Sequence, residues 1–196
     1  MNIGVVPARL ASKRLPKKIL ADLDGKPMVA HTMEQVLKAQ KLDKVILAID
    51  SEETFDALKD FGFDMVMTSK DHCSGTDRVA EVVKKNEDAE VIINIQGDEP
   101  LIDANIIDDL LGLFEDKDVN MGTAISTKLR VNDLLDDNVV KAIIDQDKNV
   151  IDFKRNIYDS EIGGLYRHIG IYGFRRNTLF QFSMLDQSTR EKKRKL

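Results

Sequence analysis

Five cationic side chains crowd the segment that follows the first apolar run of the chain. Residues 2–6 form that run, and the segment PARLASKRLPKK after it carries Arg9, Lys13, Arg14, Lys17 and Lys18. Arginine can form paired hydrogen bonds with phosphate oxygens, and lysine supplies a compact positive charge. A solvated basic loop would have a similar composition, but the position directly after a strand favours an anion-binding site. The segment is not a Walker A loop, because it lacks the GxxxxGK[ST] pattern.

Two carboxylates follow the most regular apolar run of the chain. Residues 91–95 (VIINI) are continuous and rich in β-branched side chains, and Asp98 and Glu99 come just after them in IQGDEP. Because ligands of open α/β sheets bind at the carboxyl ends of the strands, Asp98 is expected to lie at the same edge as the cationic segment. Taken alone, Gly-Asp after a strand is typical of a turn. Together with the cations it indicates a Mg²⁺ ligand, since Mg²⁺ takes one or two carboxylates plus substrate phosphates.

Other polar residues give weaker signals. Asp50, after the apolar run KVILAI, suits a helix cap better than a ligand contact. His72 and Cys73 lack the spacing of a zinc site, and Cys73 is expected to be an ordinary loop or core thiol. His31 lies in a helical pattern and is expected to face the core. His168 interrupts the apolar run YRHIGIYGF, which leaves contact with a substrate and an ordinary structural role both open.

Hydrophobic periodicity predicts the elements that position these side chains. Apolar runs predict strands, and apolar residues at helical spacing predict helices between them. The predicted strands are 2–6, 44–49, 65–68 and 91–95, and the predicted helices are 27–40, 52–61, 74–86 and 103–115. Pro7 is expected to end the first strand, Gly62 to stop the second helix, and Ser74 or Thr76 to cap the third. This alternation predicts an α/β fold with a Rossmann-like, mostly parallel sheet.

The second half of the chain has a different pattern. Strand-like runs follow one another without long helices between them, at 121–127, 139–145, 150–155 and 166–174. This pattern predicts a β-rich insertion that returns to the sheet. With 196 residues, the chain is expected to form one domain over 1–196.

Composition excludes several classes of protein. The formal net charge of −5 argues against a nucleic-acid-binding protein, which needs a basic face. One cysteine permits no intramolecular disulfide and favours a reducing compartment. No apolar run is long enough to span a bilayer, and the N-terminus does not have the pattern of a signal peptide. We therefore expect a cytoplasmic protein without membrane insertion.

Five segments, in this order, carry a resemblance to a known family. They are VVPARLASKRLPKK, LDGKPMVAHT, TSKDHCSGTDRVAEVV, INIQGDEPLI and YRHIGIYGF. Together they resemble 3-deoxy-manno-octulosonate cytidylyltransferase, over nearly the whole chain. Any one segment alone would be weak, but QGDEP combined with DHxSGTDR and RHxGIYG is specific.

The resemblance implies a nucleotidyltransferase fold, a homodimer, and an enzyme that uses CTP and Mg²⁺. The acidic sugar Kdo (3-deoxy-D-manno-octulosonate) would attack the α-phosphorus of CTP, giving CMP-Kdo for lipopolysaccharide biosynthesis. Nucleotide-binding positions carried over are Ala8, Arg9, Ser12, Arg14, Lys18, Ser74, Gly75, Arg78 and Lys141. Positions carried over for the sugar acid are Gln96, Arg155, His168 and Tyr172. The residues expected to assist catalysis are Arg9, Arg14, Lys18 and Asp98, with Asp98 as the Mg²⁺ ligand.

The sequence departs from the family pattern at several places. Lys17 stands where the family has glycine, and is expected to disfavour a left-handed backbone there. Lys154 and Tyr158 replace the serine and proline of the family's SRxxIP segment. After Leu196 the family continues into an LEQLR-like helix and a second Mg²⁺-binding aspartate, so the domain is expected to lack its C-terminal segment. Two alternatives therefore stay open: a cytidylyltransferase for a related acid (amino-Kdo or a sialic-type sugar), or a CTP-binding homologue without activity.

Overall fold

The computed structural model describes residues 1–12, 15–155, 157, 164–186, 188 and 189. The strands are β1 (Asn2–Ala8), β2 (Asp22–Leu23), β3 (Lys26–Pro27), β4 (Lys44–Ile49), β5 (Met65–Met67), β6 (Val91–Ile95), β7 (Met121–Ser126), β8 (Lys141–Ile144), β9 (Val150–Lys154) and β10 (Leu165–Arg175). The α-helices are α1 (Met28–Val36), α2 (Glu52–Leu58), α3 (Gly75–Lys84), α4 (Ala104–Gly112) and α5 (Arg176–Ser183). The chain divides into two compact units, Met1–Gly122 with Ile171–Met184, and Thr123–Gly170 with Leu185–Leu196.

The first unit is built on a mostly parallel sheet. Strands β5, β4, β1 and β6 lie side by side in that order and run parallel. The last residues of β10, Ile171–Arg175, pair antiparallel with β6. The predicted α/β class with a mostly parallel sheet is therefore confirmed. Because β1 and β6 are neighbours and parallel, the segments that leave their carboxyl ends emerge at one edge.

Proline does not end the first strand, contrary to the sequence-based expectation. The pairing of β1 with β4 continues through Pro7 to Ala8 opposite Ile49. The pairing of β1 with β6 has already stopped at Val5 opposite Asn94. Pro7 lies beyond the pairing with β6, so its lack of an N–H costs no hydrogen bond to that strand. The strand β1 therefore tolerates Pro7.

Side-chain caps set where the helices of the first unit begin. Ser51 accepts a hydrogen bond from Thr54 N at 3.1 Å and caps α2. Ser74 caps α3 in a reciprocal capping box with Asp77. Gly62 has a φ of 74° and terminates the helical segment after α2, as the sequence predicts. The helix α5 was not predicted from the sequence.

The core of the first unit lies on both faces of this sheet. On one face, α3 and α5 bury apolar side chains against β1, β4 and β6. This cluster includes Ile3, Val5, Ile46, Val79, Val83, Ile92, Phe174 and Leu179. On the other face, α4 continues into a 3-10 turn, Leu113–Glu115, and the ring of Phe114 in that turn packs over Gly173, where an added Cβ would lie 2.5 Å from it. Helices therefore cover both faces, which fixes the sheet and its carboxyl edge.

The second unit is rich in β structure. Strand β8 pairs antiparallel with β9, and with the first residues of β10 at Leu165–Arg167. A single 3-10 turn, Val131–Leu134, precedes β8 among the described residues of this unit. The predicted β-rich insertion of the second half is confirmed. No helix among the described residues of the chain is long and apolar enough to cross a membrane.

Candidate functional site

The end of β1 is packed tightly by two glycines from other elements. A Cβ built on Gly97, after β6, would lie 3.0 Å from the carbonyl oxygen of Pro7. A Cβ built on Gly75, at the start of α3, would lie 3.3 Å from the Pro7 ring. Any larger residue at Gly97 would push the turn after β6 away from β1. These close approaches bring the QGDEP turn and the N-terminus of α3 to the strand end where the cationic segment begins.

The cationic segment leaves β1 with exposed and half-buried side chains. Ala8 is fully buried at the end of the strand, Arg9 is exposed and Ser12 is half-buried. Lys13 and Arg14 lie outside the described residues, so the predicted role of Arg14 stays a prediction. Arg9 and Asp98 leave adjacent parallel strands at their carboxyl ends, as the sequence predicts. If Arg9 and Asp98 had left opposite edges of the sheet, they could not have shared one anion-binding site.

Lys18 and Asp98 form an ion pair at this edge. The Lys18 Nζ donates to Asp98 Oδ2 at 2.5 Å, and both side chains are about one-third exposed. Lys18 opens a short 3-10 turn, Lys18–Leu20, that follows the cationic segment. The sequence analysis predicted Lys18 as a phosphate ligand and Asp98 as a Mg²⁺ ligand, without a contact between the two. The structure shows that they face each other.

Lys17 adopts a left-handed backbone conformation, contrary to the sequence-based expectation. Its φ is 54° and its ψ is 34°, in the left-handed region that favours glycine. The expectation that lysine would prevent this conformation is therefore wrong. The Lys17 Nζ donates to Glu53 Oε1 of α2 at 2.5 Å, so its ammonium is paired with that helix.

Asp50 does not cap α2, because Ser51 does. Its Oδ1 accepts the backbone N–H of Leu10 at 2.9 Å, and its Oδ2 accepts an NH2 hydrogen of Arg78 at 3.0 Å. Asp50 and Arg78 are 7% and 3% exposed, so this ion pair is buried. The carboxylate joins the cationic segment to α3, a link that no local pattern of the sequence indicates.

The residues around the start of α3 are held by further hydrogen bonds. Ser74 uses its hydroxyl to accept from Asp77 N, so the predicted nucleotide-binding hydroxyl is also the cap. His72 Nε2 lies 2.6 Å from Glu81 Oε2, and the same oxygen accepts from Ser69 N. Burial raises the pKa of the Glu81 carboxyl, but the hydrogen bonds from Ser69 and His72 outweigh it, so that pKa is lowered. Cys73 is exposed. His31, expected to face the core, is half-buried, and its Nε2 lies 2.6 Å from the Leu23 carbonyl oxygen.

Asp98 fits a Mg²⁺ that is shared with phosphate. It offers a partly exposed carboxylate at the carboxyl edge of the sheet, and Lys18 already shows that a cation is favoured there. In the part of the chain that the structure describes, no three His, Cys, Asp or Glu side chains converge on a metal site. A Mg²⁺ on Asp98 would take phosphate oxygens and water among its other ligands, as is common for this ion.

Lys141 is enclosed in the second unit. Its side chain is fully buried. Its ammonium, which has three N–H groups, lies within hydrogen-bond distance of four carbonyl oxygens, those of Asp133, Asp136, Val139 and Arg155. Burial lowers the pKa of this ammonium. Lys141 therefore ties the loop before β8 to the end of β9, and its predicted role at the nucleotide stays a prediction.

Arg155 and His168 also make contacts within the second unit. The Arg155 guanidinium donates to the Asp137 carbonyl oxygen at 2.7 Å. His168 Nε2 lies 2.9 Å from Thr123 Oγ1, and its ring packs against Phe153 with centroids 4.7 Å apart. Burial lowers the pKa of His168 to about 4, so its imidazole is neutral at physiological pH.

Gln96 and Tyr172, also predicted at the sugar acid, belong to the first unit. Gln96 is half-buried directly after β6, and its carbonyl oxygen accepts from Glu99 N at 3.2 Å. Tyr172 lies in β10 opposite Asn94 of β6. Its burial raises the pKa of the phenol, so the hydroxyl keeps its proton.

Comparison with known proteins agrees with this geometry. A family model described as cytidylyltransferase matches residues 3–196. A curated protein from Geobacter sulfurreducens, named 3-deoxy-manno-octulosonate cytidylyltransferase, is 38% identical and is aligned over 100% of this chain and 85% of its own. A protein of the same name from Francisella tularensis subsp. tularensis is 40% identical over 96% of this chain and 80% of its own.

Solved structures extend the comparison to three dimensions. A CMP:2-keto-3-deoxy-manno-octonic acid synthetase, solved in complex with CTP, superposes with a TM-score of 0.90 and 34% identity. The match covers 100% of this chain and 82% of that one. A 4-diphosphocytidyl-2C-methyl-D-erythritol synthase from Anaerococcus prevotii has a TM-score of 0.64 at 13% identity, and so shares the fold alone.

Proposed function

The chain belongs to the cytidylyltransferase family, among relatives named 3-deoxy-manno-octulosonate cytidylyltransferase, and from that premise we propose that it makes CMP-Kdo from CTP and Kdo. The anomeric hydroxyl oxygen of Kdo forms a bond to the α-phosphorus of CTP. The bond from that phosphorus to the bridging oxygen of the β-phosphate breaks, pyrophosphate leaves, and the hydroxyl proton passes to solvent. No covalent enzyme intermediate is needed.

The observation that carries the proposal is the cationic and anionic pair at one edge of the sheet. Lys18 and Asp98 lie 2.5 Å apart, beside the strand end that delivers Arg9. Attack by a neutral hydroxyl on a highly charged triphosphate depends on charge neutralisation and alignment more than on a strong base. Lys18 and Arg9 supply positive charge there, and the packed end of β1 fixes where the segment that carries them begins.

Mg²⁺ held by Asp98 would neutralise phosphate charge and polarise the group under attack. Lys18 is the present counter-ion of that carboxylate, and it sits within reach of any phosphate bound to a metal there. Lys18 would then donate hydrogen bonds to phosphate oxygens in place of its bond to Asp98. Arg9, Arg14 and Ser12 are proposed to hold the rest of the triphosphate.

The nucleoside is proposed to lie against the end of β1 and the start of α3. Ala8 offers its backbone there, and Ser74 and Gly75 begin the helix that packs on Pro7. Gly75 carries no Cβ, and a Cβ built there would lie 3.3 Å from the Pro7 ring, so the start of α3 lies close to the strand end. Backbone groups can then read the base edge without long side chains.

Within the second unit, His168 and Arg155 are proposed to recognise the sugar acid. His168 is neutral at physiological pH because burial lowers its pKa to about 4. It therefore serves as a hydrogen-bonding group rather than as the counter-ion of the sugar carboxylate. A permanent cation such as Arg155 is suited to that carboxylate.

The cellular setting follows from the family and is part of the proposal. We place the enzyme in the cytoplasm, acting as a homodimer in lipopolysaccharide biosynthesis. The one cysteine of the chain is consistent with a reducing compartment. Sedimentation velocity of the purified chain would test the dimer, and a single monomeric species would contradict it.

The deciding experiment measures pyrophosphate release from CTP and Mg²⁺ with a panel of acid sugars. Kdo is expected to give the highest kcat/KM, and CMP-Kdo should be the product by mass. A preference for amino-Kdo or a sialic acid would instead assign a related cytidylyltransferase. Binding of CTP by calorimetry without pyrophosphate release from any sugar would indicate a homologue without activity.

A further inference from the structure

The carboxylate of Asp50 is shared between the cationic segment and α3. Asp50 follows β4 directly, next to the end of β1, and is 7% exposed. One oxygen accepts the backbone N–H of Leu10 at 2.9 Å, and the other accepts from Arg78 at 3.0 Å. The hydrogen bond to Leu10 fixes the peptide plane between Arg9 and Leu10. That peptide sets the direction in which the segment leaves the strand.

The far side of Arg78 is fixed as well. Its Nη1 donates to Thr68 Oγ1, and that hydroxyl donates to the Ile49 carbonyl oxygen at 2.7 Å. Arg78 is 3% exposed, so its guanidinium lies inside the first unit rather than on its surface. A buried arginine without a partner would be strongly destabilising, and Asp50 is the carboxylate that compensates it.

We propose that Asp50 is a positioning residue for the triphosphate-binding segment, and that Arg78 is its buried counter-ion rather than a nucleotide ligand. The inference rests on the proposed function, since it assumes that the cationic segment binds CTP. It changes the role that family resemblance gives Arg78. The hydrogen bonds run from the segment backbone through Asp50 and Arg78 to Thr68. They fix the backbone from which the Arg9 side chain extends before any ligand binds.

A matched pair of double variants isolates the acceptor that Asp50 offers to Leu10. D50N/R78M removes both buried charges but keeps a carbonyl oxygen that can accept from Leu10 N. D50V/R78M is likewise uncharged at both positions and lacks that acceptor. Neutral pairs are used because Asp50→Asn alone would strand the Arg78 charge and could prevent folding. Asp43→Val is the control, since Asp43 Oδ2 accepts the Asn2 backbone N–H at the opposite end of β1.

Two measurements are made on each folded variant. The first is hydrogen exchange of the Leu10 amide without nucleotide, and the second is CTP affinity by calorimetry. D50N/R78M is expected to bind CTP as wild type does, with a protected Leu10 amide. D50V/R78M is expected to exchange that amide faster and to bind CTP about tenfold more weakly, the effect of losing one such hydrogen bond. Asp43→Val should leave CTP affinity unchanged.

Two results would overturn the proposal. If D50N/R78M loses CTP affinity as strongly as D50V/R78M, then Arg78 itself contacts the nucleotide. If Leu10 exchange is the same in both double variants, the carboxylate does not position the segment. Failure of the proposed function looks different, because the wild-type chain would then bind no CTP while Leu10 exchange still distinguished the two variants.

Discussion

The ammonium of Lys18 and the carboxylate of Asp98 lie 2.5 Å apart, although the residues are eighty positions apart in the sequence. Each is the other's counter-ion at the carboxyl edge of the sheet. Both remain about one-third exposed, so the pair is accessible to ligands and adds little to stability. A site that binds phosphate and a divalent cation needs a cationic and an anionic group that can exchange partners, and this pair supplies both.

Asp98→Asn should remove Mg²⁺-dependent turnover while leaving the fold intact. We expect a loss in kcat of about 100-fold or more, the usual effect of deleting one electrostatic group at a reacting centre. The change in the free energy of unfolding should stay below about 1 kcal/mol, because the pair is partly exposed. Pyrophosphate release across a Mg²⁺ titration and urea denaturation measure the two effects.

Glu53→Gln is the control for that experiment. It removes the carboxylate of the neighbouring Lys17–Glu53 pair, which has the same length of 2.5 Å. Turnover should be unchanged, because Glu53 lies in α2 and holds a lysine with no proposed role. Equal losses in Asp98→Asn and Glu53→Gln, or none in Asp98→Asn, would contradict the metal assignment.

Gly97→Ala should damage the site through the backbone. The new Cβ would meet the Pro7 carbonyl oxygen at 3.0 Å, and that oxygen belongs to a strand that cannot yield locally. We expect a cost of about 1–3 kcal/mol in the free energy of unfolding, together with weaker CTP binding as Asp98 is displaced. Gly112→Ala is the control, since its Cβ meets Lys41 Nζ at an ordinary 3.5 Å and should be neutral or stabilising. Equal stability of the two variants in urea would show that the close approach is unimportant.

Lys17→Gly and Lys17→Ala should separate backbone strain from the ion pair. Both variants lose the contact with Glu53, but only glycine adopts a φ of 54° without a Cβ penalty. The glycine variant is therefore expected to be more stable than the alanine variant by about 1 kcal/mol. Urea midpoints with equal slopes would measure this difference. An alanine variant at least as stable as the glycine variant would show that the left-handed conformation is not strained.

Much of the fold could be predicted because the buried strands carry continuous apolar runs. The strands β4 and β6 have the predicted bounds, 44–49 and 91–95, and both are buried along most of their length. The helix α5 could not be found in this way. It has only eight residues, of which Leu179 alone is buried, so the segment is too short to show a helical period in its sequence.

The candidate site was predictable in its residue types but not in its partners. Position after a strand was enough to place Arg9 and Asp98 at one edge of the sheet. The Asp50–Arg78 pair was not foreseen, because its members are 28 positions apart and only the packing of α3 on the sheet joins them. Lys141 is fully buried in a run that otherwise reads as an ordinary strand, and its carbonyl partners come from separate loops.

His168 should make the protein lose stability as the pH falls. Burial lowers its pKa in the folded state to about 4, against 6.5 for an unperturbed histidine. Between those values the unfolded chain binds a proton that the folded chain does not, so the free energy of unfolding decreases as the pH falls through this window. The full contribution is at most about 3 kcal/mol, and it is present above the higher pKa.

His168→Gln isolates this contribution, because glutamine keeps a polar group near Thr123 Oγ1 and does not titrate. The free energy of unfolding of the variant, measured in urea from about pH 7 to about pH 5, should fall less steeply than that of wild type. Parallel curves for wild type and His168→Gln would mean that the pKa of His168 is the same in the folded and unfolded chains. Burial would then not hold its imidazole neutral, and the argument for its neutral hydrogen-bonding role at the sugar acid would fail.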